Sequence, residues 1–201
     1  MTDRLSKDTR PRPPHAGDLA ELRVAAFALL ARGVADRRSP MHTPTLASIG
    51  LDGAPRARTL VLRGFDAATR RLRLHSDRRT GKCAELAADP RCALHAYDAA
   101  AQVQIRVEGI ASLHTDDDVA EAAWEATRAF SRIIYAIEPA PGTRVATPLP
   151  APQDEAAGRP HFAAIEVRMH SLEWLWLAAD GHRRARIEWT GTEEHATWLV
   201  P

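Results

Sequence analysis

RARTLVLRGF (residues 56–65), RLRLHSDRRTGKCAEL (71–86) and AQVQIRVEG (101–109) are the stretches that decide the fold of this chain. Each one places cations or hydrogen-bonding side chains beside residues that favour β-strands. Segments 56–65 and 71–86 carry a high density of Arg and Lys next to Leu and Val. The combination indicates a strand-built site for a phosphorylated planar ligand.

Length and charge limit the classes of function. The chain has 201 residues and a formal net charge of +1, from 27 Lys and Arg against 26 Asp and Glu. Because this balance gives no global field, we expect neither a nucleic-acid partner nor a membrane surface as partner. No apolar run approaches the roughly 20 residues that span a bilayer. Cys83 and Cys92 lack metal-type spacing and fit a reducing compartment, so we expect a cytoplasmic protein without a metal site.

The predicted elements outline one domain. Residues 1–16 are polar and proline-containing, which predicts a flexible N-terminal tail before a single domain at 17–201. Residues 18–32 place apolar side chains three and four apart, which predicts an amphipathic helix that ends at Gly33. The side chains on that apolar face are Leu19, Leu22, Ala26, Leu29 and Leu30.

The rest of the chain favours strands over helices. We predict strands at 44–49, 56–64, 71–76, 92–97 and 102–113, and further strands in HFAAIEVRMH, LEWLWLA, HRRARIEW and ATWLV, with turns at Asp52-Gly53 and near Asp180-Gly181. Helices are predicted from Thr80 to Leu86 and from 116–118 through VAEAAWEATRAF. Residues 139–160 hold six prolines and predict a loop. About eight strands with peripheral helices predict a mainly β (α+β) fold, an antiparallel barrel.

Common catalytic motifs are missing. The nine histidines form no HExxH pair, and the chain has no GxSxG elbow and no GxGxxG loop. Thr80-Gly81-Lys82 lacks the remaining residues of a P-loop. Zinc hydrolase, serine hydrolase and Rossmann functions therefore lose their usual support.

A distributed anion site remains. Thr80 and Lys82 at a helix start offer a hydroxyl, backbone N–H groups and a cation, a set that suits a phosphate. Arg58 and Arg63 are five residues apart, so on a regular strand they leave opposite faces, unless a bulge changes the parity. Each cation taken alone fits a solvated surface charge better than a ligand contact. Their succession, followed by the strand-borne Gln104, favours a ligand site.

These motifs, in this order, resemble the pyridoxamine 5'-phosphate oxidase family of FMN-binding split barrels. The matching segments are 58–66, 80–91 and 104–109, and Trp176 and Arg186 stand ten residues apart, as the family's cofactor-contacting Trp and Arg do. The resemblance implies an antiparallel split β-barrel that forms a homodimer, with FMN at the subunit interface and a small-molecule substrate.

The resemblance also implies roles for individual residues. Arg58, Lys82 and Thr80 would bind the phosphate, the 60–63 backbone would flank the flavin, and Gln104 would hydrogen-bond its ring. Trp176 and Arg186 would come from the second subunit, although a core position for Trp176 is an equal alternative. The implied FMN-binding residues are Arg58, Leu60, Val61, Leu62, Arg63, His75, Ser76, Thr80, Lys82, Gln104, Trp176 and Arg186. The implied substrate-binding residues are Arg128, His182 and Arg184.

Departures from the family concern the substrate. The family holds a substrate phosphate with Tyr, Arg and Ser spaced by four on one helix, where this chain has Trp124, Arg128 and Arg132. The family's Arg-x-His becomes His182-Arg183-Arg184, and its Gln-Ser pair has no match near 139–142. We therefore expect an FMN-dependent oxidoreductase that acts on an unidentified small molecule. The alternatives are authentic pyridoxamine or pyridoxine 5'-phosphate oxidase activity and a non-catalytic flavin-binding protein, and no catalytic residue is assigned.

Overall fold

The computed structural model of the chain describes residues 13–179 and 181–201. Nine strands form one antiparallel sheet: β1 Thr45–Ile49, β2 Pro55–Thr59, β3 Leu62–Asp66, β4 Arg71–Asp77, β5 Arg91–Asp98, β6 Val103–His114, β7 Phe162–Trp176, β8 Arg183–Thr190 and β9 Glu193–Leu199. The helices are α1 Leu19–Ala35, α2 Gly81–Ala88, α3 Asp118–Glu125 and α4 Ala129–Arg132. Short 3-10 turns lie at Pro14–Gly17, Pro40–His42, Ile133–Ala136 and Ala156–His161.

The sheet branches at its longest strand. Its main path runs β2-β1-β5-β6-β7-β4-β3. The first half of β7 pairs with β4 and its second half pairs with β8. On its other edge, β7 pairs with β6 along nearly the whole length of β7. The predicted split β-barrel type is confirmed, and the sheet is not closed on itself in the single chain. The branch places β4 and β8, which both carry predicted site residues, along the same side of β7.

Apolar side chains alternate inward along the central strands. Val103, Ile105 and Val107 of β6 are buried, whereas the residues between them are half-buried on the outer face. This period of two is the strand signature that the sequence displays. Helix α1 adds Leu22, Ala26 and Leu30 to the core. The predicted amphipathic helix and its apolar face are therefore confirmed, with Leu19 and Leu29 packed at the edge of the core.

The predicted end of the first helix is wrong. Helix α1 continues through Gly33 to Ala35 and ends at Asp36. Gly33 lies inside the helix because the chain returns against it: a Cβ there would stand 2.7 Å from the carbonyl oxygen of Met41. The missing side chain serves close packing rather than a helix stop.

Two strand predictions also need correction. The predicted strand 56–64 is two strands, because β2 pairs with β1 whereas β3 pairs with β4. Between them the Leu60 N–H donates to the Pro44 carbonyl. Conversely, the two segments HFAAIEVRMH and LEWLWLA form the single 15-residue strand β7. The register between β6 and β7 shifts between Glu108, which pairs with Ser171, and Gly109, which pairs with Met169.

The helix predicted after Asp116 is interrupted. Helix α3 ends at Glu125, and Arg128 has an extended backbone before α4 begins. The hydroxyl of Thr127 donates to the Ala123 carbonyl, and the Arg132 guanidinium donates to the carbonyls of Trp124 and Thr127. Side chains thus satisfy carbonyls that a continuing helix would bond.

The predictions for the N-terminal tail, the proline-rich loop and two turns are tested in part. Of the predicted tail at 1–16, residues 1–12 lie outside the described residues. Ala16 is fully buried in the turn Pro14–Gly17, so residues 13–16 do not form the flexible tail predicted for them. Of the proline-rich loop predicted at 139–160, residues 139–155 contain no helix or strand, whereas residues 156–160 lie in the 3-10 turn Ala156–His161. The turn at Gly53 has φ +79°, and of the predicted turn at 180–181 only Gly181 is described.

Candidate functional site

A cluster of hydroxyl and ammonium groups forms where β4 meets α2. The Lys82 ammonium donates to the Ser76 hydroxyl at 3.2 Å, and the Thr80 and Ser76 hydroxyl oxygens are 3.2 Å apart. Thr80 is the N-cap of α2, but its hydroxyl donates to the Asp77 carbonyl rather than capping the helix. We call Ser76, Thr80 and Lys82 the hydroxyl-lysine cluster.

Arg58 borders this cluster from β2. Its guanidinium donates to the Ser48 hydroxyl and to a Glu85 carboxylate oxygen at 2.6 Å. Burial disfavours ionisation of Glu85, yet hydrogen bonds from Ser48 and Arg58 outweigh it and lower the pKa of this carboxyl. Glu85 is only 8% exposed, so Arg58 is held in place by a buried carboxylate. The structure therefore brings four of the predicted FMN-binding residues, Arg58, Ser76, Thr80 and Lys82, into one region.

The charge of this region is unbalanced. Burial lowers the pKa of Lys82, and the nearby Arg58 charge acts in the same direction. Glu85 pairs with Arg58, whereas Lys82 has no ion pair with a described residue. An anion with several acceptor oxygens, such as a phosphate monoester, would fit this donor set because it compensates a partly desolvated ammonium.

A second, separate cleft lies on the other side of β4. Its walls come from the end of α1, from β3 and β4, and from the break between α3 and α4. Arg73 and His75 alternate along β4 with Ser76, so they face away from the hydroxyl-lysine cluster. The residues that line this arginine cleft are Val34, Ala35, Arg37, His42, Leu62, Arg63, Arg73, His75, Ala126, Thr127 and Arg128.

His75 is a neutral acceptor in the arginine cleft. Burial, together with the charges of Arg63 and Arg73, lowers its pKa to about 3. Its Nδ1 lies 3.3 Å from the Thr127 hydroxyl, whose own proton goes to the Ala123 carbonyl. The Thr127 oxygen therefore accepts from Nδ1–H, which leaves Nε2 as a buried lone pair without a described partner.

The predicted residues at 60–63 connect these regions. Leu62 is buried in the core and also lines the arginine cleft, and Leu60 and Val61 form the crossing between β2 and β3. Arg58 and Arg63 lie on different sides of this crossing. Arg58 contacts Glu85, whereas Arg63 lines the arginine cleft. The two side chains diverge because they belong to separate strands, and not, as predicted, by alternation along one regular strand.

The remaining predicted cofactor residues lie on the outer face of the sheet or in its core. Gln104 is half-buried beside Leu175 in the sheet register, and its amide has no hydrogen bond to a described residue. Arg186 pairs in register with Glu173 and donates to Glu108 at 3.1 Å. Trp176 is 5% exposed within the core cluster.

Trp176 and Arg186, which the resemblance assigns together to the cofactor site, lie on opposite faces of the sheet. Trp176 lies on the same face of the sheet as the buried Ala185, whereas the Arg186 side chain lies on the opposite face. Within one chain, Trp176 is therefore a core residue, the alternative that the sequence left open. Leu175, opposite Arg184, occupies the outer-face position.

The predicted substrate residues fall into two groups. Arg128 is exposed and lines the arginine cleft. His182 and Arg184 lie at the β7-β8 hairpin, where the His182 ring accepts from the Ala178 N–H and Arg184 donates to Glu173. Trp124 is buried and Arg132 binds backbone carbonyls, so neither replaces the family's substrate contacts. Sequence reasoning missed Arg37, His42 and Arg73. Arg73 was detectable, because it shares a strand face with His75.

Two absences concern only the described part of the chain. Residues 13–179 and 181–201 contain no group of three His, Cys, Asp or Glu residues arranged to hold a metal ion. No helix in the same ranges has the length and apolar character required to cross a membrane.

Comparisons with known proteins agree with this architecture. Residues 26–115 match the family model described as the pyridoxamine 5'-phosphate oxidase, FMN-binding domain. Pyridoxine/pyridoxamine 5'-phosphate oxidase 2 of Arabidopsis thaliana is 34% identical over 105 residues, which cover 49% of this chain and 52% of that protein. The oxidase of Thermosynechococcus vestitus is 34% identical over 106 residues, covering 52% and 49%. The match thus spans about half the length of these curated relatives.

Solved structures show the same fold at low identity. A pyridoxamine 5'-phosphate oxidase-related, FMN binding protein from Nostoc punctiforme aligns with a TM-score of 0.71 and 22% identity, covering 96% of this chain and 100% of that one. PhzG from Burkholderia lata, in complex with tetrahydrophenazine-1-carboxylic acid, aligns with a TM-score of 0.73 and 20% identity, covering 98% and 100%. FMN, the cofactor expected from the sequence, is confirmed for the domain type that residues 26–115 match. Residues 26–115 therefore resemble the FMN-binding domain of pyridoxamine 5'-phosphate oxidases, and the whole chain shares the fold of the two solved structures.

Proposed function

We propose that this protein is an FMN-dependent oxidoreductase that acts on a small anionic molecule. The observation that carries the proposal is the partly buried Lys82 ammonium, which donates to the Ser76 hydroxyl beside the Thr80 hydroxyl. The nearby carboxylate, Glu85, is already paired with Arg58. In the FMN-binding domain type that residues 26–115 match, this donor set is suited to the FMN phosphate.

Each residue near the cluster has a distinct part in this proposal. Lys82 and Arg58 bind the phosphate, and the Thr80 and Ser76 hydroxyls orient it. The backbone from Leu60 to Arg63 flanks the ring, since it crosses between the hydroxyl-lysine cluster and the arginine cleft. Bound FMN supplies the redox chemistry, while the chain orients the ring and the substrate and excludes water from them. No residue is assigned a proton-transfer role.

A homodimer completes the proposed site. Gln104 and Arg186 lie on the outer face of the sheet, where the Gln104 amide has no described partner. A second copy packed against this face would bring His182, Arg184 and Arg186 towards the flavin of its neighbour. Trp176 is left out of the proposed contacts because it is buried in the core.

Authentic pyridoxine or pyridoxamine 5'-phosphate oxidase activity is the second candidate. The curated relatives at 34% identity carry that name, which favours it. The burial of Trp124 and the use of Arg132 to bind backbone carbonyls argue against it. Peroxide release on mixing the FMN-loaded protein with pyridoxine 5'-phosphate separates the two. A flavin that no donor or acceptor turns over would instead support a non-catalytic binding protein.

The cofactor assignment is tested by comparing FMN with riboflavin. Substituting Lys82→Ala removes a charge-assisted contact, so FMN affinity should fall by about 1.5–3 kcal/mol while riboflavin affinity changes little. Binding is followed by quenching of flavin fluorescence. Equal losses for the two ligands, or no binding of either, would refute the assignment.

A matched control is available on the neighbouring strand. Arg56 is exposed, pairs with Asp52 at 2.7 Å and lies two residues from Arg58. Arg56→Ala should leave FMN affinity unchanged. Arg58→Ala should weaken it, but this variant also leaves Glu85 without its partner, so Lys82→Ala is the cleaner measurement.

A further inference from the structure

The arginine cleft gathers an excess of positive charge. Arg37, Arg63, Arg73 and Arg128 line it, and no Asp or Glu does. None of these four forms an ion pair with a described residue, whereas Arg58, Arg79 and Arg106 each pair with a buried carboxylate. Arg63 and Arg73 also line an adjoining depression with Asp66 and Glu166, but these two carboxylates accept from Thr69 and Arg71. The guanidinium groups therefore focus a positive potential into the cleft.

Two polar atoms of this cleft, one a donor and the other an acceptor, have no hydrogen bond to a described residue. Arg73 Nε and His75 Nε2 are buried without a hydrogen-bond partner in the described part of the chain. Arg37 stacks over the Phe130 ring, 5.8 Å from its centroid, at the rim of the cleft. A buried polar atom without a partner is costly, so these atoms are suited to contact a ligand.

The cleft is distinct from the cluster assigned to the FMN phosphate. Arg73 and His75 project from one face of β4, and Ser76 projects from the other. The four arginines come from four segments, which places guanidinium groups on several walls. One carboxylate or phosphate is saturated by two or three such donors, so four spread around a cleft exceed what one acidic group requires.

We propose that the arginine cleft binds a small molecule with at least two acidic groups, one held by Arg63 and Arg128 and a second by Arg37 and Arg73. The claim that this ligand is the substrate of the flavin site rests on the proposed function. The claim that the cleft binds such a ligand depends only on the residues of the cleft. Carboxylates and phosphates share the required chemistry, because both accept two parallel hydrogen bonds from a guanidinium.

The test is calorimetric titration of the FMN-loaded protein with citrate, pyrophosphate and acetate at constant ionic strength. Citrate or pyrophosphate should bind and acetate should not, and the tighter of the two identifies carboxylates or phosphates as the preferred groups. Arg37→Gln and Arg73→Gln should each weaken that binding by about tenfold or more. Arg37 is exposed, so its variant keeps the test intact where Arg73→Gln fails to fold.

Arg168→Gln is the matched control, since Arg168 is an exposed arginine without a described ion pair outside the cleft. Its affinity should equal that of the parent. No binding of either multivalent anion, equal binding of acetate, or an equal loss in the control would overturn the proposal. If FMN itself does not bind, the same titrations on the Lys82→Ala protein still test the cleft, so the two failures are distinguishable.

Discussion

The half-buried His75 should make the stability of this protein depend on pH below about 6.5. Its pKa is about 3 in the folded chain, because of burial and of the charges of Arg63 and Arg73, against 6.5 for an unperturbed histidine. The unfolded chain therefore takes up a proton below pH 6.5 that the folded chain refuses. The free energy of unfolding must fall as pH decreases through this range.

The magnitude follows from the size of the pKa shift. Each pH unit below 6.5 costs about 1.4 kcal/mol, so lowering the pH to 5 should remove about 2 kcal/mol of stability. The loss continues to about 5 kcal/mol near pH 3, but there the carboxylates with lowered pKa values, such as Asp89 and Glu85, also lose stabilising charge. The useful window is therefore pH 5 to 7.

The measurement compares the parent with His75→Gln by urea unfolding, followed through tryptophan fluorescence at one protein concentration. The variant loses the edge contact of His75 with Phe162 at 4.9 Å, which shifts its stability at every pH. Its slope between pH 5 and 7 should nevertheless be flatter than the parent slope by the amount above.

The control for this comparison is His195→Gln, which changes an exposed histidine and should preserve the parent slope. Parallel curves for the parent and His75→Gln would show that His75 is protonated in the fold, and the reasoning about the arginine cleft's electrostatics would fail.

Three further predictions concern packing and reactivity. Gly109→Ala should destabilise the fold by about 1–3 kcal/mol in urea, because its Cβ would stand 2.6 Å from the Arg168 carbonyl oxygen. Gly81→Ala, whose nearest contact would be Glu85 at 3.7 Å, is the control, and equal midpoints would contradict the packing. Neither Cys83 nor Cys92 should react with Ellman's reagent in the folded protein, since both are buried and burial raises the pKa of Cys92 to about 12. Both should react in denaturant, and rapid reaction in the folded protein would show that a thiol is exposed. Thr127→Val should cost about 1–3 kcal/mol by leaving His75 Nδ1 without its acceptor, and an unchanged midpoint would remove the tautomer assigned to His75.

Local patterns predicted the strands well because a period of two is written directly in the residues. Val103, Ile105 and Val107 alternate with polar residues, and the structure buries those three. Gly33 was misinterpreted because a glycine that stops a helix and a glycine that admits a neighbouring backbone look alike in sequence. Only the return of Met41 against α1 distinguishes them.

The site was predictable where its residues are close in sequence. Ser76, Thr80 and Lys82 meet within seven residues, so their cluster could be foreseen. The arginine cleft joins Arg37, Arg73 and Arg128, which are far apart in sequence, and their proximity depends on tertiary packing. Trp176 was assigned by its distance along the chain from Arg186, whereas its burial follows from the strand register.

One local change connects the divergent substrate residues. On an unbroken helix, Trp124, Arg128 and Arg132 would share one face, since residues four apart are neighbours. Here the helix ends at Glu125, and Arg132 donates to backbone carbonyls at that end. Its guanidinium is therefore used structurally, and Trp124 packs at 5.3 Å against Phe162 in a core cluster.

The break leaves Arg128 as the one member of that trio that lines the cleft. The additional charge comes from other segments, with Arg37 following α1 and Arg73 on β4. Cations that belong to one helix can surround one compact anionic group, whereas cations on separate walls suit acidic groups set apart on the ligand. Because the charge is redistributed rather than lost, the helix break favours a change of substrate over a loss of substrate binding.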